Sequence, residues 1–122
     1  MCAQSRRAIA IIDDDPGVRD SLRFLLETAG HAVETYESGP RFLSEAKPAH
    51  LACLVLDQQM PLISGLDLLA QLRAGRLTTP SVLVTSLPAA ALAQRAAELG
   101  VAVIEKPLAQ DDLLAAIEAL LI

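Results

Sequence analysis

Hydrophobic positions along the chain fall into five blocks, each followed by a polar turn and then an amphipathic stretch. Ala8-Ile9-Ala10-Ile11-Ile12 is a near-continuous apolar run, the pattern of a strand covered on both faces. It stops at Asp13-Asp14-Asp15. Asp15-Pro16 predicts a helix start, because Asp15 can accept from free N–H groups and proline suits the first turn. Val18, Leu22, Leu25 and Leu26 recur at helical spacing, and Gly30 suits the position just past the helix end. His31 to Tyr36 predicts a weaker strand and Pro40 to Ala46 a short helix. Leu51 to Leu56, the most strand-like segment, runs straight into Asp57. A helix follows from near Gly65 through Leu66 to Ala74, then a strand over Ser81 to Val84 ending at Thr85. An Ala-rich helix over Ala89 to Leu99 closes at Gly100. A fifth strand, Val101 to Ile104, ends at Glu105-Lys106-Pro107, and Asp111 to Leu121 reads as the last helix.

Strict alternation of strand and helix predicts parallel strands with right-handed crossovers, hence a doubly wound (βα)5 three-layer α/β sandwich. Ligands of such sheets bind beyond the carboxyl ends of the strands. Asp13 and Asp14 follow the first strand, Asp57 the third, Thr85 the fourth and Lys106 the fifth. All are therefore expected to converge on one edge.

Composition narrows the choices. The chain has 122 residues, the size of one compact domain, and 52% of them are hydrophobic. Only 2% are aromatic, so the core is aliphatic and there is no stacking platform for bases. A formal charge of −5 repels a phosphate backbone, which argues against direct nucleic-acid binding by this segment. No apolar stretch approaches the roughly 20 residues of a membrane span. Met1 to Arg7 lacks a signal-peptide cleavage site. Cys2 and Cys53 have no metal-type spacing and suggest a reducing cytoplasm, with Cys53 a small buried hydrophobe.

Three carboxylates in one cleft demand a proton or a cation. Two like charges about 4 Å apart repel by roughly 4 kcal/mol at an effective dielectric near 20. Oxygen ligands and the absence of His or Cys favour a hard divalent ion, with Mg²⁺ the best fit. A carboxylate can attack phosphorus to give an aspartyl phosphate. Catalysis of that step is mostly positioning and charge neutralisation. Lys106 supplies a point charge and Thr85 a hydroxyl. No group is evidently placed as a general base for rapid hydrolysis, which favours a phosphate store over a turnover enzyme.

Ile11-Ile12-Asp13-Asp14-Asp15, Leu54-Val55-Leu56-Asp57, Met60-Pro61 with Ser64-Gly65, Val84-Thr85-Ser86 and Glu105-Lys106-Pro107 resemble, in order, the motifs of the receiver domain of two-component response regulators. The resemblance covers essentially the whole chain, 1–122 as one receiver domain, and looks closest to the FixJ-like branch. It implies a flavodoxin-like strand order 2-1-3-4-5. Asp57 would be the phosphoacceptor, with a phosphohistidine of a sensor histidine kinase as donor. Asp14 would bind Mg²⁺ directly and Asp13 largely through water, joined by Asp57 and the backbone carbonyl of Gln59. Thr85 and Lys106 would contact the phosphoryl group, and the Lys106–Pro107 bond would be cis. Output would be transcription regulation by a cytoplasmic protein. Any DNA-binding domain would follow Ile122, and homodimerisation would use the face of the fourth and fifth helices.

Two departures stand out. The family's aromatic switch position, three residues before the lysine, is Val103. Tyr36 lies in the wrong strand to replace it. The stretch Ser86-Leu87-Pro88-Ala89 also looks about one residue short. The expected switch region is therefore Thr85, Ser86 and Val103, working by loop and helix displacement after Thr85. Two other functions compete: a degenerate receiver serving only as an interaction module, and an Asp-nucleophile phosphohydrolase. The hydrolase usually needs an acid/base carboxylate two residues after the nucleophile, where this chain has Gln59.

Overall fold

A computed structural model describes residues 7–106 and 110–121. Pro107, where a cis bond is expected, and Cys2 lie outside the described residues. The strands are β1 (Ala8–Ile12), β2 (Ala32–Tyr36), β3 (Leu51–Asp57), β4 (Ser81–Thr85) and β5 (Ala102–Glu105). They form one parallel sheet in the order β2-β1-β3-β4-β5, as expected. The helices are α1 (Pro16–Thr28), α2 (Gly39–Glu45), α3 (Gly65–Ala74), α4 (Ala89–Leu99) and α5 (Gln110–Leu120).

Both sheet faces are covered, which explains why the central strands read as unbroken apolar runs. Successive side chains of a strand point to opposite faces. Ile9 and Ile11 of β1 pack with Leu22 and Leu26 of α1 and Leu113 and Ile117 of α5. Ala8, Ala10 and Ile12 face the other way, into a cluster with Phe42 of α2, Leu66 and Leu69 of α3 and Ala96 of α4. The result is the expected three-layer sandwich, with α1 and α5 on one face and α2, α3 and α4 on the other. Cys53 is fully buried, and burial pushes its thiol up to about 12, as befits a small apolar filler.

Two strands start one residue later than the sequence suggests, for one reason. The His31 N–H donates to the Leu26 carbonyl and the Val101 N–H to the Ala96 carbonyl. Each therefore completes the C-terminal turn of the preceding helix instead of joining the sheet. Gly30, at φ 96°, makes the reversal after α1 without a Cβ penalty. A short 3-10 turn over Pro48–His50, which three residues are too few to announce by periodicity, leads into β3.

Candidate functional site

The site lies at the carboxyl edge of the sheet, where β1, β3, β4 and β5 end. Hydrogen bonds fix each of its members locally. Asp13 directly follows β1, and its carboxylate accepts from the Asp15 N–H at 2.9 Å. The Asp13 carbonyl accepts from the Arg19 guanidinium at 2.7 Å, tying the turn back to α1. Asp15 caps α1 through the Gly17 N–H at 2.8 Å, as its place before Pro16 predicts.

Asp57 is the last residue of β3 and only 4% exposed, as is Asp13. Its neighbour across the turn is Gly65. A Cβ at Gly65 would sit 2.6 Å from the Asp57 carbonyl oxygen and 2.6 Å from a Leu83 methyl. Only glycine lets α3 begin this close beneath the end of β3. The Gln58 side chain then accepts from the Leu66 N–H at 2.8 Å, and Ser64 caps α3 through Asp67.

One carboxylate oxygen each from Asp13, Asp14 and Asp57 lies within 4.8 Å of the others. This is the one group of three potential metal-binding side chains among the described residues. Asp14 is exposed while its two companions are buried, so a cation held here would be open to solvent on one side. Burial pushes the Asp13 carboxyl up to about 6; the Asp57 and Asp14 charges add to the rise, and the Asp15 N–H and Lys106 oppose it. Burial likewise raises Asp57, against the ammonium of Lys106, whose Nζ lies 3.3 Å from Asp57 Oδ1. Lys106 is half-buried, and its backbone is anchored by a 2.7 Å bond from its N–H to the Thr85 carbonyl.

Thr85, the last residue of β4, is fully buried. Its hydroxyl oxygen accepts from Leu87 N–H at 2.9 Å and from the side-chain amide of Gln59 at 3.1 Å. Val103 pairs with Leu83 across β4 and β5 and packs into the α2–α4 side of the core. Tyr36 stacks edge-on against Phe42 and donates to Glu34 at 2.7 Å, with β1 and β3 between its strand and β4.

The structure thus brings together Asp13, Asp14, Asp57, Lys106 and, through Gln59, Thr85 and Ser86. Sequence reasoning singled out Gln59 for its backbone carbonyl and for lacking a carboxylate, and missed the contacts of its side-chain amide. It also missed Glu105, whose carboxylate accepts from the Ala89 N–H at the start of α4. A run of amino acids carries no sign of such contacts, which span 26 and 16 positions. The one available signal is that Pro88 cannot cap α4 with its own side chain.

Chemically, the edge offers a buried carboxylate touched by one ammonium, a set of oxygen donors suited to a hard cation, and a buried hydroxyl. No helix among the described residues is long and apolar enough to cross a membrane.

Comparison with known proteins agrees with this geometry. The family model described as the response regulator receiver domain matches residues 9–118. The transcriptional regulatory protein FixJ of Azorhizobium caulinodans is 40% identical over 112 residues, covering 91% of this chain and 53% of FixJ. The chain spans about half the length of the curated FixJ relatives it matches. Among solved structures, the response regulator StyR superposes with a TM-score of 0.89 at 38% identity, over 95% of this chain and 59% of StyR. A CheY-like receiver domain protein from Methanospirillum hungatei superposes with a TM-score of 0.86 at 27% identity, over 96% and 94%. The chain belongs to the response regulator receiver domain family of two-component signalling, in its FixJ-like branch.

Proposed function

We propose that this chain accepts a phosphoryl group on Asp57 from a phosphohistidine of a sensor histidine kinase and stores it as a conformational signal for transcription regulation. The observation that carries the reading is the buried Asp57 carboxylate, 3.3 Å from the Lys106 ammonium and grouped with Asp13 and Asp14. An Asp57 oxygen attacks phosphorus, the P–N bond breaks, and its electron pair stays on the departing imidazole. Lys106 then turns its charge from the carboxylate to a phosphoryl oxygen. Both acceptor positions of the Thr85 hydroxyl are filled by N–H donors, so its own proton is the part left to donate.

Oxygen donors alone, two of them buried carboxylates whose charge burial disfavours, fit a hard divalent cation. Asp13, Asp14, Asp57 and the Gln59 backbone carbonyl are the ligands we assign to Mg²⁺. When bound, Mg²⁺ supplies counter-charge to the phosphoryl oxygens. A cation there would offset the burial that raises Asp57 and favour its ionised form, the form that attacks.

The amide of Gln59, where a hydrolase of this type needs a carboxylate, supports a stored phosphoryl group over rapid turnover. Similarity to FixJ over half of that protein supports a place in a transcription regulator, with 1–122 as its receiver domain.

Incubation with acetyl phosphate, with and without Mg²⁺, followed by intact-mass spectrometry tests the reading. A single persistent covalent phosphoryl adduct that needs Mg²⁺ is expected. Continuous phosphate release without an adduct makes the chain a hydrolase, and no reaction makes it an interaction module; either result overturns the proposal.

A further inference from the structure

Gln59 is exposed, yet three of the four hydrogen-bonding positions of its amide are engaged with the start of the β4–α4 loop. Its Nε2 donates to Thr85 Oγ1 at 3.1 Å. Its Oε1 accepts both from the Ser86 N–H at 3.0 Å and from the Ser86 hydroxyl at 3.1 Å. One side chain, two residues past Asp57, thus makes three hydrogen bonds to two successive residues of the facing loop. An amide oxygen has two acceptor positions, and Ser86 fills both.

A phosphoryl group on Asp57 brings three strong acceptor oxygens and added negative charge. Donors prefer a charged acceptor, whose bonds are about twice as strong as those to a neutral amide. The Ser86 donors cannot serve the Gln59 amide and a phosphoryl group at once. Because Gln59 is exposed, water can take over its freed amide, and the exchange favours the phosphoryl group by a modest margin.

We propose that the Gln59 side chain is a positioning residue that latches Thr85 and Ser86 in the unphosphorylated arrangement and is released when the phosphoryl group takes the Ser86 donors. The proposal rests on the phosphoacceptor reading of Asp57. It gives the loop a trigger that needs no aromatic side chain at Val103.

Gln59→Ala deletes the amide and keeps the backbone carbonyl assigned to the metal. Two readouts test it: exchange of the Ser86 amide by NMR without any phosphoryl group, and affinity for beryllofluoride, a phosphoryl mimic, at saturating Mg²⁺. The expected result is Ser86 exchange about tenfold faster and beryllofluoride binding about tenfold tighter than in the parent chain. Gln59→Glu offers Ser86 a charged acceptor and is expected to bind beryllofluoride more weakly. A variant that merely loosened the fold would speed exchange and weaken binding together. If the parent chain binds beryllofluoride but Gln59→Ala binds no tighter, or leaves Ser86 exchange unchanged, the latch is overturned and the phosphoacceptor reading stands. If the parent chain itself binds none, the phosphoacceptor reading fails and takes the latch with it.

Discussion

Burial and like-charged neighbours lift Asp13 from 3.8 to about 6, and that difference contributes to the pH behaviour of the metal-free chain. The folded state holds the proton more tightly than the unfolded state does. The stabilisation this brings is complete below about 4 and is lost as pH rises through about 6. Such a lift corresponds to roughly 3 kcal/mol. Asp13→Asn is therefore expected to stabilise the metal-free chain at pH 7.5 by up to that amount and to lessen its loss of stability between pH 5 and 7.5. Denaturant unfolding at the two pH values measures both effects. Mg²⁺ needs the ionised form, so its affinity should rise with pH through about 6, and Asp13→Asn should remove most of its stabilising effect. Leu62 offers a second residue-scale test. It is 86% exposed and sits at φ 75° in a three-residue turn closed by the Ile63 N–H on the Pro61 carbonyl at 2.9 Å. A leucine gains nothing from that position and is strained in it. Leu62→Gly should stabilise the chain by about 1 kcal/mol in urea unfolding, the reverse of the usual effect of glycine. Neither feature is legible in the sequence: Asp13 is visible as an acid at a strand end, but its displacement depends on how deeply the packed sheet buries it.

At the scale of elements, α4 depends on its neighbours. Pro88 provides no side-chain cap, and the Glu105 carboxylate at the end of β5 accepts from Ala89 N–H instead. Glu105→Ala should cost about 1 kcal/mol and speed amide exchange in the first turn of α4 while sparing the other helices. Hydrogen-exchange mass spectrometry resolves that difference. At the other end of the layer, the Arg73 guanidinium donates to the carbonyls of Leu77 and Leu99, joining α3 to the end of α4. The elements themselves were legible because each depends on a local pattern. Double coverage leaves β1 and β3 as unbroken apolar runs, Asp15-Pro16 marks the start of α1, and Gly30 and Gly100 mark helix ends. The misplaced boundaries at His31 and Val101 arise where one N–H can serve either a helix end or a strand, and only packing decides.

At the scale of the whole molecule, alternation of strand and helix was enough to foresee that Asp13, Asp14, Asp57, Thr85 and Lys106 would share one edge, since parallel strands send all their carboxyl ends the same way. It could not show how the side chains at that edge join. The Gln59 amide bridges loops from two strands, and the Glu105 carboxylate reaches from a third. With Val103 packed against the core side of β5, activation should leave β5 in place and displace Ser86 to Ala90. Structures with and without beryllofluoride would show this, and an unmoved Ser86–Ala90 segment would contradict it. If the face of α4 and α5 pairs two copies, sedimentation velocity should show dimers only in the presence of the mimic. All of this depends on which atom receives the phosphoryl group. The most direct measurement is tandem mass spectrometry of the chain after reaction with acetyl phosphate and Mg²⁺, alongside Asp57→Asn. The account predicts one phosphoryl group on Asp57 and none on the variant; a group mapped to another residue, or retained undiminished by Asp57→Asn, would contradict it.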